Sequence, residues 1–253
     1  MNPYSDVLEE ATEIVERASR IALSYFRQAL LIETKADHSP VTIADKKTEE
    51  AIRTDLTRAF PDHGIVGEEF GEAFPDREFV WTIDPIDGTR SFVRGIPLFG
   101  TIVALLERGE PVLGIAVLPA LDETYVAAKG LGAYCDGHLL RVANTQSLDQ
   151  ALVCSGDTPA FESAGKLPYQ QELFRRSGLV RGYSDCFGHL MVVRGAVDAM
   201  VDPLVSIWDI APLISLITEA GGTYDLKTWT PEIEKTFQAE KIAKRLPDSP
   251  RQR

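Results

Sequence analysis

Apolar residues recur at steps of three and four from the start of the chain. Val7, Leu8, Ala11, Ile14, Val15, Ala18, Ile21, Ala22, Tyr25 and Phe26 form one stripe, which predicts an amphipathic helix over 5–30. A second helix is expected after Ser39-Pro40, capped by Thr42 with Asp45 three residues on. Ala44, Thr48, Ala51, Ile52, Leu56 and Ala59 line its inner side, and Pro61 stops it. The period then shortens. A hydrophobic strand, Phe79-Val80-Trp81-Thr82-Ile83, runs into a Pro/Gly turn. Further apolar runs at 98–106, 112–118 and 123–128 are separated by Arg108-Gly109-Glu110 and by Pro119 to Asp122. Asp136-Gly137 reads as a hairpin turn before a strand at 139–142. These lengths and turns favour an antiparallel or mixed sheet over a doubly wound parallel one.

The polar stretch Asn144-Thr145-Gln146-Ser147 interrupts the pattern and divides the chain into halves, 1–143 and 144–253. Beyond it strands and helices alternate: strand 151–155, helix 168–176, strand 179–183, helix 185–194, strand 198–201, and helix 208–220 closed by Gly221-Gly222. The expected architecture is layered, with helices over two sheets.

Composition narrows the class. A chain of 253 residues, 44% hydrophobic and 25% charged, can bury one large core or two modest ones. A net charge of −12 without an offsetting basic stripe argues against a nucleic-acid partner. The first residues lack the basic and apolar regions of a signal peptide, and no apolar run is long enough to span a bilayer. Cys135, Cys154 and Cys186 have no paired spacing for zinc or redox work, so free thiols and a cytoplasmic location are expected.

The candidate chemistry lies in spaced carboxylates: Glu68-Glu69, then Asp84-Pro85-Ile86-Asp87-Gly88-Thr89, then Trp208-Asp209. A strand end is a rigid platform, and a turn can aim two acids at one point. Oxygen ligands of this kind select hard cations such as Mg²⁺, Mn²⁺ or Ca²⁺ over zinc. Gly88 permits close backbone approach, and the amides of Gly88 and Thr89 open a short segment suited to cradling a phosphate. A bare Asp-x-x-Asp is more often an ordinary polar turn; the adjoining Gly-Thr and the upstream acids tip the balance. Glu68-Glu69 alone reads as a solvated charge pair. Asp209 alone reads equally as a helix cap or a ligand. No His-Glu-x-x-His, Gly-x-Ser-x-Gly or Walker pattern is present, which disfavours a zinc hydrolase, a serine nucleophile and a triphosphatase.

These blocks carry a resemblance. The segment from Asp37 to Asp45, Gly67-Glu68-Glu69, the segment from Trp81 to Phe92 and Trp208-Asp209-Ile210-Ala211-Pro212 together resemble the inositol monophosphatase family, over roughly residues 5–225. That resemblance implies an αβαβα sandwich, a homodimer, and a Mg²⁺-dependent phosphomonoesterase holding two or three ions, with Mn²⁺ as a possible substitute. Carried over, Glu68, Asp84 and the Ile86 carbonyl hold one ion, and Asp84, Asp87 and Asp209 a second. Asp45 orients Thr89, and Thr89 with Glu68 positions the attacking water. The resemblance leaves the role of Glu69 open.

Ser91 to Gly95, Glu107 to Val112 and Arg181-Gly182-Tyr183-Ser184-Asp185 look most like the histidinol-phosphatase branch. Substrate contacts are expected at Gly88, Thr89, Arg181, Asp185 and Asp202. Asp185 stands where the inositol branch carries small uncharged residues, and extra carboxylates suit a substrate with a positive amine. The bland reading of Asp185 is a cap on the helix at 185–194, and that of His189 is a core or helix-surface residue. The nearest alternatives are inositol, fructose-bisphosphate or nucleotide 3′-phosphate hydrolysis, and a non-catalytic metal- or phosphate-binding regulator. Residues 226–253 depart from the family's usual continuation, a Gly-containing turn, a strand and a closing helix. They read Leu226-Lys227-Thr228-Trp229-Thr230-Pro231 and then a Lys-rich stretch without glycine, so the edge of the second sheet is either built differently or missing.

Overall fold

The structure, a computed structural model, describes residues 2–35 and 40–224. Helix α1 (Ser5–Tyr25) ends where Phe26 turns extended and Arg27 takes a left-handed φ of 60°. The predicted continuation to residue 30 is therefore not helical. Its apolar residues Phe26 and Leu30 are used instead against Ala22, Phe92 and Phe99. Two short strands, β1 (Glu33–Thr34) and β2 (Pro40–Val41), pair antiparallel before helix α2 (Ile43–Ala59). The expected cap is present. Thr42 Oγ1 accepts from the Ala44 amide at 3.1 Å, and Asp45 Oδ2 accepts from the Thr42 amide at 2.7 Å.

The main sheet has eight strands. In chain order they are β3 (Gly64–Gly67), β4 (Gly71–Ala73), β5 (Phe79–Asp87), β6 (Gly100–Glu107), β7 (Glu110–Leu118), β8 (Glu123–Ala128), β9 (Gly132–Cys135) and β10 (His138–Leu139). They lie side by side as β10-β9-β8-β7-β6-β5-β3-β4. Only β3 and β5 run parallel, so the sheet is mixed, as the turn chemistry predicts. The five-residue helix α3 (Thr89–Val93) follows β5. The strand predicted at 139–142 stops early, because the Val142 amide bonds the Ala220 carbonyl at 3.1 Å and not a neighbouring strand.

The remaining elements are β11 (Leu152–Ser155), α4 (Thr158–Ser163), α5 (Leu167–Arg176), β12 (Leu179–Arg181), α6 (Asp185–Val193), β13 (Ala199–Val201) and α7 (Ile207–Glu219). The second sheet, β12-β11-β13, is all parallel. Helices α1 and α2 cover one face of the large sheet, burying Ala11, Ile14, Ile52 and Leu56 against Trp81, Val103 and Leu113. On its other face Ile102, Ala116 and Leu118 meet Leu190 of α6 and Leu213 and Ile214 of α7. Val153, Met200, Phe161 and Leu173 extend the same cluster through the small sheet to α4 and α5. The layers form an αβαβα sandwich, and its apolar core joins residues from both sides of position 144.

One contact sets the spacing of the central layer. A Cβ on Gly114 of β7 would lie 2.2 Å from the Pro212 carbonyl oxygen of α7, so only glycine lets this helix lie so close. Residues 226–253, where the sequence departs from the family pattern, lie outside the described residues.

Candidate active site

The site is built where β5 loses its regular pairing. Asp84 faces Ile102 and Asp87 faces Gly100, so β5 has one more residue than β6 between these pairs. Strict alternation would send residues three apart to opposite faces. The bulge turns them to one side. Asp84, Asp87 and Asp209 then converge, each offering a carboxylate oxygen within 4.8 Å of the others.

A backbone amide holds each carboxylate. Asp84 Oδ1 accepts from the Ile86 amide at 3.0 Å, and Asp87 Oδ2 accepts from the Cys186 amide at the start of α6. Asp209 Oδ2 accepts from the Ser206 amide at 2.7 Å, closing a capping box on α7. The cap and ligand roles of Asp209 are thus compatible, since capping takes one of its two oxygens. Burial, then repulsion from Glu68, Asp87 and Asp209, holds the Asp84 carboxyl well above the usual range. Burial, then Asp185 and Asp209, does the same to Asp87. Asp209 is pushed up to about 7 by burial, against the stabilising Ser206 amide. Buried acids that repel one another and offer only oxygen donors fit a hard divalent cation.

Glu68 and Glu69 leave the end of β3, and the Glu68 amide donates to the Ile83 carbonyl at 3.1 Å, which sets them beside β5. Lys35 bridges them, its Nζ lying 2.6 Å from Glu68 and 2.5 Å from Glu69. Burial lowers the Lys35 pKa, but Glu68 and Glu69 outweigh it and the net shift is upward. Glu69 is raised to about 7, by burial first, with Lys35 opposing.

Gly88, at φ 84°, turns the chain from β5 into α3, and its carbonyl accepts from the Ser91 and Phe92 amides. A Cβ there would meet the Leu98 carbonyl at 3.0 Å and Asp185 Oδ2 at 3.3 Å. Thr89 Oγ1 lies 2.9 Å from the Ile86 carbonyl and 3.5 Å from Asp45 Oδ1. Asp45 is buried, and its other oxygen takes both the amide and the hydroxyl of Thr42, each at 2.7 Å. Asp45 and Thr89, which the resemblance pairs, thus lie within reach of each other, and the Ile86 carbonyl, which it gives to an ion, accepts from the Thr89 hydroxyl.

Beside the carboxylates opens a cavity of about 100 Å³, lined by Asp87, Asp185, Cys186, His189, Asp202 and Asp209 with Leu204, Val205, Ile210 and Leu213. Among the described residues its lining holds four carboxylates and no lysine or arginine. Asp185 does not cap α6: Ser184 is the N-cap, and Asp185 follows it in a left-handed conformation at φ 56°. Arg181 is not brought to this cavity. It stands exposed on β12, where its Nη1 donates to the Val180 carbonyl at 2.9 Å.

Three residues of this region escape sequence reasoning. Lys35 comes from a loop far upstream, with no spacing that ties it to the acids. His189 pairs with Asp202 through tertiary structure alone, Nε2 to Oδ2 at 2.9 Å. Glu49 left a trace. It sits one helical turn after Asp45 and beside Thr48 on the inner side of α2, an acid where an apolar residue belongs.

The comparisons with known proteins agree with the fold. The family model of the inositol monophosphatase family matches residues 4–243. A histidinol-phosphatase of Chlorobaculum parvum is 41% identical over 217 residues, covering 85% of this chain and 83% of that protein. One from Streptomyces coelicolor is 37% identical over 236 residues, covering 88% of each. Among solved structures, an inositol monophosphatase from Zymomonas mobilis superposes with a TM-score of 0.81 at 30% identity, covering 96% of this chain and 97% of that one. The fold and site define a phosphoric monoester hydrolase. The chain belongs to the inositol monophosphatase family. Among the described residues, no helix is long and apolar enough to cross a membrane.

Proposed function

We propose that this protein is a Mg²⁺-dependent histidinol-phosphatase, hydrolysing histidinol phosphate to histidinol and phosphate. The observation that carries the substrate is the cavity beside the three aspartates, where Asp185 and Asp202 stand next to Asp87 and Asp209 with no lysine or arginine among the described lining residues. Histidinol phosphate bears an ammonium group and an ionisable imidazole, which such a lining attracts; inositol phosphates bear neither. The similarity to curated histidinol-phosphatases at 37–41% identity supports the same choice.

Glu68, Asp84 and the Ile86 carbonyl would hold one ion, and Asp84, Asp87 and Asp209 a second. When bound, magnesium supplies positive charge for the phosphate oxygens and acidifies the attacking water. The chain does the positioning. Thr89 donates its one hydroxyl hydrogen bond to the Ile86 carbonyl or to Asp45, which leaves its lone pairs to accept a hydrogen bond from the attacking water and so orient it. Glu68 is the second group orienting that water. The Gly88 and Thr89 amides hold the phosphate at the opening of α3, while Asp185 and Asp202 face the amine. Phosphoryl transfer of this type is mainly positioning and charge neutralisation, so no covalent nucleophile is required. The family resemblance further supports a homodimer, the unpaired spacing of Cys135, Cys154 and Cys186 supports a cytoplasmic location, and the polar break at 144–147 supports halves 1–143 and 144–253.

The test is phosphate release from histidinol phosphate and from myo-inositol 1-phosphate, side by side, with Mg²⁺ and with EDTA. A Mg²⁺-dependent preference for histidinol phosphate is the expected result. Preference for the inositol ester overturns the substrate, and turnover that survives EDTA overturns the metal requirement.

A further inference from the structure

His189 is buried on α6, 2% exposed, yet it lines the acidic cavity. Its Nε2 lies 2.9 Å from Asp202 Oδ2, while its Nδ1 is buried without a hydrogen-bond partner among the described residues. A carboxylate oxygen accepts, so the partner it meets is the His189 Nε2–H, which donates to Asp202. Among the described residues this is the ring's one hydrogen bond. Asp202 is confined on its other side too. A Cβ on Gly156 would lie 1.9 Å from Asp202 Oδ1 and 3.2 Å from its Cγ, and the next nearest atom, the Val201 carbonyl oxygen, is 4.0 Å away. Pro203 follows, which holds the Asp202 backbone extended.

That confinement has work to do. Asp185 lines the same cavity as Asp202, and the two carboxylates repel one another. A loosely held Asp202 would swing towards solvent.

We infer that His189 is a positioning residue for substrate selectivity: with the bare backbone of Gly156 it clamps the Asp202 carboxylate in the cavity, where that group meets the protonated amine of the substrate. The inference rests on the substrate reading above and adds the device that enforces it. His189 takes no part in the chemical step; it acts through Asp202.

The test compares KM and kcat for histidinol phosphate and for p-nitrophenyl phosphate, which has no amine, using the full chain with Mg²⁺. His189→Leu removes the donor, His189→Gln keeps a donor of similar reach, and Gly156→Ala displaces Asp202 with the histidine intact. A charge-assisted hydrogen bond sets the scale at about tenfold. His189→Leu should raise KM for histidinol phosphate by about that factor, with kcat falling much less and a several-fold smaller loss on p-nitrophenyl phosphate. His189→Gln should recover most of the loss, and Gly156→Ala should reproduce the pattern of His189→Leu. Gly156→Ala keeps the question answerable if His189→Leu misfolds, because its added methyl presses first on Asp202, with the Val201 carbonyl oxygen 4.0 Å away. Equal proportional losses on both esters would make His189 a core residue and overturn the clamp. Wild-type preference for the amine-bearing ester that survives His189→Leu and Gly156→Ala overturns the clamp alone. Wild-type indifference to the amine overturns the substrate reading, and the clamp with it.

Discussion

The buried carboxylate of Glu49 accepts the backbone amide of Glu69 at 2.7 Å, so a helix residue holds the loop that carries Glu68 and Glu69. The same carboxylate takes the Phe70 amide at 3.2 Å and Arg53 Nε at 2.7 Å, while Arg53 Nη2 reaches the Gly71 carbonyl. Gly67 makes room for it, since a Cβ there would lie 2.1 Å from Glu49 Oε1. Glu49→Gln turns an acceptor into a donor among donors and leaves Arg53 without its charge partner. The expected loss is about 2–3 kcal/mol of unfolding free energy, measured by urea denaturation. A higher Mg²⁺ concentration for half-maximal activity should accompany it, because Glu68 is no longer held in place.

The approach of α7 to β7 makes a second prediction. Gly114→Ala places a methyl against the Pro212 carbonyl, and the helix must retreat from the sheet. Overpacking of this kind costs about 1–3 kcal/mol. Asp209 rides on the same helix and would move away from Asp84 and Asp87. Activity should therefore fall by more than the loss of folded protein explains, measured as kcat on the folded fraction. A variant that is destabilised but fully active once folded would show that the helix position is not critical.

His63 should make stability depend on pH. Its ring stacks between Phe60 and Phe79, with centroids 5.2 and 5.0 Å away, and its Nδ1 is buried without a partner among the described residues. Burial, with Arg77 adding, pulls its pKa below the ordinary histidine value, and Asp62 opposes. The folded protein therefore binds the proton less tightly than the unfolded chain. Stability is complete above about pH 6.5 and is lost as the pH falls from there through the folded value. His63→Phe keeps the stack and removes the titration. The gap between variant and wild type in denaturation midpoint should widen in the variant's favour from pH 7.5 to pH 5. A constant gap would refute it.

What could be read from the sequence, and what could not, follows from how far each signal reaches. The Thr42 cap and the strand at 123–128 are written in neighbouring residues, and the structure builds both. The Pro/Gly turn expected after Ile83 is instead strand as far as Asp87, because Asp84 and Asp87 still pair with β6 across a bulge, and the chain turns only at Gly88. Asp209 was legible as a helix-opening acid because capping is local. The strand β9, only four residues long and glycine-led, falls below the length at which alternation is distinguishable from chance. The end of α1 was hidden because Phe26 continues the apolar stripe while serving a different cluster. Lys35 and His189 carry no local mark at all. Their meaning arises only when the fold sets them against Glu68 and Asp202. The bulge between Asp84 and Asp87 is of the same kind: the aspartates are plain in the sequence, but the strand pairing decides that they share a side.

Asp45 divides its two oxygens between fold and chemistry, and a single substitution can separate them. Oδ2 caps α2 through the amide and hydroxyl of Thr42, and Oδ1 faces the Thr89 hydroxyl at 3.5 Å. In Asp45→Asn the amide oxygen can keep the cap, which leaves the NH₂ group facing Thr89. Thr89 must then accept from that group, and a lone pair intended for the attacking water is taken. The cap survives at a cost of about 0.5–1 kcal/mol, a small shift in thermal midpoint. Positioning of a proton-accepting group contributes about 10²–10⁴-fold to rate, so kcat should fall by about that range with KM little changed. Asp45→Ala loses both functions and should show a larger stability loss with a similar kcat. If Asp45→Asn retains near-normal kcat, Thr89 is oriented by the Ile86 carbonyl at 2.9 Å alone, and Asp45 is a helix cap only.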